Sequence, residues 1–292
     1  MTSAPVLQPS PPIAIPQRRR RRVPPGLILG LVFLFTVFAF LYAPLVTTAL
    51  FSLNSSNVQT WPMAGLTSRW YHDLFADQAM LQALFFSLRV ALTAVMVSAV
   101  AGLAFALITQ RLQFRGKKWL DAALAIPLVA PGMVLGISLL VVFNLAGMSN
   151  GFWTIVIGHA AFITPLVMFI MQQRLKTMDP SLDHASMDLG AGRIRTFWHV
   201  TLPGVRVALL AACLLGFVLS MDEIAVSFFL AGTQSTLPVY VWGLLRFGFT
   251  PEVNAVFTLI GIISLLFISG AAVMLFATAR RREKQVVAGD RS

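Results

Sequence analysis

The chain has 292 residues, of which 57% are hydrophobic and only 11% charged, and its mean hydropathy is +0.79. Soluble globular domains carry roughly 25% charged residues, so the composition excludes one and describes an integral membrane protein. The net charge of +11 fits either a nucleic-acid partner or a membrane topology signal, and the placement of the basic residues decides between them.

In chain order, residues 1–25 read as a disordered basic tail: a Pro- and Ser-rich stretch without a packable pattern, then five arginines, Arg18 to Arg22. The uncharged run 26–51 exceeds the 7–15 or so apolar residues of a secretory signal core and reads as a membrane anchor. Residues 67–80 (TSRWYHDLFADQAM) suit a short amphipathic helix lying at the outer surface. Five more stretches, 83–109, 119–145, 152–173, 204–230 and 253–279, reach the roughly 20 apolar residues that a bilayer core requires. The expected fold is therefore all-α and polytopic, with six transmembrane helices spread over 26–279 and a further tail at 280–292. Pro127 and Pro131 bend the third span. His159 stands alone on the fourth, in a packing or hydrogen-bonding role. Thr250-Pro251-Glu252 reads as a cap, a first-turn proline and an acid at the positive end of the last span, which makes Glu252 structural. The single cysteine, Cys213, excludes an intramolecular disulfide.

Six spans put alternate connections on alternate sides. One side then holds 19 of the 22 basic residues, leaving only Arg69, Arg89 and Arg246 for the other. Positive charge marks the cytoplasm, so both termini and the 176–203 connection are expected there, and the charge reports topology rather than nucleic acid.

That connection contains LDHASMDLGAGRIRTFWHVTLP, residues 182–203. Asp179-Pro180 starts a helix, and Asp183 complements its dipole. Leu182, Ala185 and Leu189 form one narrow apolar face, and Gly190 ends the helix with a left-handed cap. A second short helix carries Phe197 and Trp198 to Leu202-Pro203, where the proline opens the next span. An ordered knob with an exposed apolar face suits docking into a partner's groove. The chain has no GxxxxGK[ST] phosphate loop, so any ATPase is a separate chain.

The segment resembles the EAA signature of permease subunits in binding-protein-dependent ABC importers, which reads Glu-Ala-Ala, three residues, Gly, nine residues, Ile, any residue, Leu-Pro. Gly190, Leu202 and Pro203 keep the spacing, Val200 takes the Ile position, Ala185 matches, and His184 and Ser186 replace the Glu and the second Ala. The resemblance implies a type I importer permease fold and a coupling helix that enters a cleft of the ATPase, with His184 altering any ion pair made there. It also implies an ATPase dimer, a second homologous permease and a periplasmic or extracellular binding protein as partners. It further implies that this chain holds no cofactor, the ATP being bound by the separate ATPase, and that the location is the bacterial inner membrane. The runs LLVVFNLAGMSNGFWTIVIGHAAF and LSMDEIAVSFFLAGTQSTLPVYVWGLLRFGFTPEVNAVFTLI resemble the second permease of spermidine/putrescine-type importers, which implies a polyamine as cargo. Iron, opines, aminophosphonates and amino-acid-like amines are carried by related permeases and stay open.

Asp222 and Glu223 are the candidate substrate-path residues. The 16 positions from Arg206 to Asp222 span about 24 Å, placing both acids in the outer part of a roughly 30 Å core. Charges there normally face a polar cavity or a partner. Consecutive helical residues point about 100° apart, so at most one acid faces the path squarely. The resemblance of SMDEIAVS to the polyamine permeases implies a carboxylate there, and Asp222 is taken for it, with Glu223 left to a helix or subunit contact. Pairing of either acid with Arg246 or a sister subunit is the alternative. Two rival functions are weaker. Gly136-Ile137-Ser138 with His159 faintly resembles intramembrane serine proteases but lacks a second small glycine, since Leu139 stands there. A stand-alone secondary transporter would show repeats with interrupted helices in matching positions, and none is visible.

Overall fold

The computed structural model describes residues 25–246, 251–266, 269–270 and 273. The arginine tail, the Thr250 cap and the 280–292 tail lie outside these residues. Among the described residues every regular element is helical, apart from one isolated bridge between Asn54 and Leu66. The chain divides into two units, 1–47 and 48–292. In the first, the described residues belong to helix α1 (Pro25–Phe51), which coincides with the expected anchor.

The second unit opens with α2 (Arg69–Ala76), the expected amphipathic helix. It buries Trp70 and Leu74, and Arg69 pairs with Asp73 at 3.1 Å on its exposed side. Trp70 Nε1 donates to the Asn54 carbonyl at 2.7 Å. The side chain of Asp77 then accepts from the N–H groups of Ala79 and Met80, and this cap starts α3 (Gln78–Arg111) five residues before the expected span. At 34 residues and 1.5 Å per residue, α3 is about 50 Å long.

The third expected span is two helices, α4 (Lys117–Val129) and α5 (Gly132–Leu145), meeting at 108°. Ala130 and Pro131 are extended between them (ψ 138 and 133), and proline supplies no N–H to close the turn. Next comes α6 (Phe152–Lys176), then two short helices, α7 (Ser181–Asp188) and α8 (Arg193–Thr196). From α8 a π-helical turn, Phe197–Thr201, leads without interruption into α9 (Leu202–Asp222). The expected helix 204–230 is not continuous. It stops at Asp222, Glu223 is extended (ψ 113), and α10 (Ala225–Leu230) follows. The 100° relation between Asp222 and Glu223 therefore does not hold. Two more helices are described, α11 (Leu237–Leu245) and α12 (Pro251–Leu266).

Helices α3, α6 and α9 pack around a shared core that includes Phe86, Ile163, Met168, Met171, Val205 and Phe217. Alanines 91, 94 and 212, all fully buried, let these backbones approach, as helices must where lipid offers no hydrophobic driving force for their association. Four helices are long and apolar enough to cross a membrane, and the bent α4–α5 pair makes a fifth if counted as one span. The stretch expected to be the sixth begins with α12, which is shorter in its described part.

Candidate functional site

The knob between α6 and α9 is built from local rules. Asp179 Oδ1 accepts from the Ser181 N–H at 2.9 Å and so caps α7 at its start. The N–H and hydroxyl of Ser181 hold the Asp179 carboxyl below its ordinary range. At the other end Gly190 has φ +85, with its N–H on the Met187 carbonyl at 2.9 Å and the Ala191 N–H on the Ser186 carbonyl at 3.1 Å. These two bonds are the paired closure of a Schellman cap, which needs the left-handed conformation at that residue. The predicted cap is thus formed.

The predicted apolar face is open to the surroundings. Leu182 is 53% exposed and Leu189 89%, with Ala185 exposed between them. His184 is exposed as well and makes no described hydrogen bond. Ser186 faces inward, its hydroxyl 3.1 Å from that of Thr196, which joins α7 to α8. Leu202 and Pro203 lie half-buried in the first turn of α9. Beside the knob is a cleft of about 660 Å³, lined in part by Arg111, Lys176, Asp179, Asp183, His184, Met187 and Arg193.

Asp183 does more than complement a helix dipole. Its Oδ2 accepts from Arg111 Nη2 at 2.5 Å, the same nitrogen donates to Thr201 Oγ1 at 2.9 Å, and Thr201 donates to Asp183 Oδ1 at 3.1 Å. In the sequence Arg111 is one of the 19 basic residues on the positive side and nothing more. The two residues are 72 positions apart, and no local pattern connects them.

At the interruption after α9 the two acids separate. Asp222 is exposed and lines a groove of about 140 Å³ with Leu84, Leu88, Phe217, Met221, Leu237, Ile260 and Ser264. Glu223 turns inward: its Oε1 accepts from the Val226 N–H at 2.9 Å, capping α10, and it lies beside Gly132 at the start of α5. Among the described residues neither acid forms an ion pair, and Arg246 lies over the Trp242 ring at 4.2 Å.

His159 has the hydrogen-bonding role expected of it, with partners the sequence did not reveal. It is 1% exposed, with Nδ1 2.7 Å from Ser220 Oγ and Nε2 2.9 Å from Ser227 Oγ. One serine precedes the interruption and the other follows it, so the imidazole clasps α9 to α10.

Residues 94–284 match the family described as "Binding-protein-dependent transport system inner membrane component". The chain belongs to this family. Over 239 residues it is 36% identical to the putrescine transport system permease protein PotI of Escherichia coli, covering 79% of this chain and 84% of that one. Over 245 residues it is 34% identical to the spermidine/putrescine transport system permease protein PotC of the same organism, covering 83% and 92%. A chain from the crystal structure of a bacterial ABC transporter involved in alginate import superposes with a TM-score of 0.67 over 87% of this chain and 98% of its own length. At 16% identity that likeness concerns the fold, which is the type I importer permease fold. The chain is thus a multi-pass inner-membrane transport component and not an enzyme. The protease reading would pair His159 with Ser138, whereas the structure pairs its two nitrogens with Ser220 and Ser227.

Proposed function

We propose that the chain is the permease subunit of an ATP-driven importer whose cargo is a polyamine, putrescine or spermidine, handed over by an external binding protein. The observation that carries this reading is the Gly190-capped α7 with Leu182, Ala185 and Leu189 exposed, in a chain more than a third identical to a putrescine permease. In this reading residues 176–203 dock into a cytoplasmic ATPase dimer, which holds the ATP, and a second permease completes the path. The charge distribution supports six spans within 26–279, with the tails 1–25 and 280–292 on the ATPase side. Leu182, Ala185 and Leu189 fill a groove on the ATPase. His184 and Ser186 flank that contact, and Leu202-Pro203 passes its movement into α9.

Asp222 is the residue assigned to the cargo. One carboxylate at the edge of an apolar groove complements an ammonium group on a hydrocarbon chain, and no described cation competes for it. Glu223 stays with the α10 cap. The test is uptake of labelled putrescine and spermidine by cells with and without the chain, and by cells carrying Asp222→Asn. Loss of uptake without the chain, and a sharp fall in the variant with ATPase content and binding-protein affinity unchanged, are expected. Equal uptake with and without the chain would refute the polyamine reading. Unaltered uptake by the variant would remove Asp222 from the path.

A further inference from the structure

Helix α7 is joined to the rest of the molecule by its two chain connections, through 177–180 to α6 and through α8 to α9. Two attachments leave a rigid body free to swing about the line between them, and a third fixes its plane. The Arg174 side chain of α6 reaches Thr177 in the first connection, but among the described residues the side chain from outside 176–203 that bonds α7 itself is that of Arg111, the last residue of α3. Its Nη2 spends one hydrogen on Asp183 of α7 and the other on Thr201 of the π-helical turn, and Thr201 donates back to Asp183. The ring is closed and Thr201 is fully buried, while the Asp183 side chain is 20% exposed and that of Arg111 41%. Arginine suits the position because one planar nitrogen carries two directed donors and the group stays charged.

The opposite end of α3 is also tied down. The carboxylate of Asp77, which caps α3, accepts a hydrogen bond from the Tyr240 hydroxyl, and Ser87 Oγ accepts from the Leu237 N–H at 2.7 Å. Both donors belong to α11. One continuous helix thus connects α7 at one end with α11 at the other.

We propose that Arg111 is a positioning residue for coupling: it sets the angle of α7 against the membrane helices and makes α3 the strut that passes movement of the docking segment to α11. The inference rests on the reading of α7 as the docking element. It is tested in the complete complex, purified through a tag on this chain and reconstituted in liposomes, with putrescine as cargo. Putrescine taken up per ATP hydrolysed and the amount of co-purified ATPase are measured together. Arg111→Gln should keep the ATPase and lose at least about fivefold in coupling, the lower end of ordinary coupling between sites. Asp183→Asn should do the same, and the double variant should be no worse than either single one, because both remove one contact. Full coupling in Arg111→Gln, or losses that multiply in the double variant, would overturn the inference. Leu189→Asp separates the two readings. Retention of ATPase by that variant would remove the docking reading and this inference with it. Its release, with full coupling in Arg111→Gln, would remove this inference alone.

Discussion

Replacing His159 by leucine keeps an apolar side chain of useful size but leaves two buried hydroxyls without their partner. The two serines do not lose equally. Ser220 lies in regular helix, and its hydroxyl can turn to the Gly216 carbonyl one turn back. Its loss should therefore be near the average of about 0.6 kcal/mol for side-chain hydrogen bonds within membranes. The carbonyl one turn back from Ser227 is that of Glu223, which is extended within the interruption rather than helical. Ser227 is fully buried, so it bears the cost of an orphaned buried hydroxyl, about 1–3 kcal/mol. His159→Leu should therefore destabilise the chain by about 2–4 kcal/mol. Equilibrium unfolding in mixed micelles, followed by tryptophan fluorescence, reads this loss. His159→Gln, whose amide both donates and accepts, should recover much of it. Adding Ser227→Ala to His159→Leu should restore stability as well, because the orphaned hydroxyl is then gone. The reasoning is refuted if His159→Leu is as stable as the parent, or if Ser227→Ala only adds to the loss.

Gly190→Val meets no atom within 4 Å of the new Cβ, so its cost is the left-handed backbone alone, about 1–2 kcal/mol. The variant should insert normally and lose cargo-stimulated ATP hydrolysis, while Gly190→Asn should retain most of it; equal hydrolysis in the valine variant and the parent would refute this. For topology, cysteines at the exposed positions Ser149 and Gln234 should react with an impermeant thiol reagent added outside intact cells, and cysteines at Gln113 and Arg195 should not. The reverse pattern would invert the orientation.

The sequence carries those features that rest on neighbouring residues. Gly190 followed a helical apolar pattern, and the left-handed cap is there. Asp179 preceded a proline and accepts from Ser181 as a cap does. Residues 67–80 alternated as a surface helix, and α2 lies within them. What it did not carry depends on distant partners. Nothing in SMDEIAVS breaks a helix by propensity. The chain is interrupted at Glu223 where that carboxylate caps α10 beside Gly132 and where His159, more than 60 positions away, holds the serines on both sides. Pro131 marks a bend, but its 108° is not legible there, and beyond it α5 packs against α10 and α6. Arg111 carried no mark at all, because an arginine near a membrane edge has the same local sequence whether it faces water or Asp183.

The short helix α10 lies against α5 and α6 at glycines. A methyl group at Gly136 would come within 2.9 Å of Phe229, and one at Gly158 within 2.7 Å of both Leu230 and Val226. At Gly136 backbone atoms of Ala225 and Val226 would also lie within 3.2 Å, at Gly158 the side chains of Leu230 and Val226 fill the space a Cβ would take, and close-packed interiors pass strain on rather than absorb it. These pieces therefore mesh like gear teeth: a shift of α5 of even an ångström has no slack to take up before α10 follows. The Glu223 cap travels with α10, and the end of α9, clasped through His159, is drawn along. The exposed Asp222 at that end is thus set by the gearing of three helices rather than by the flexibility of the chain around it.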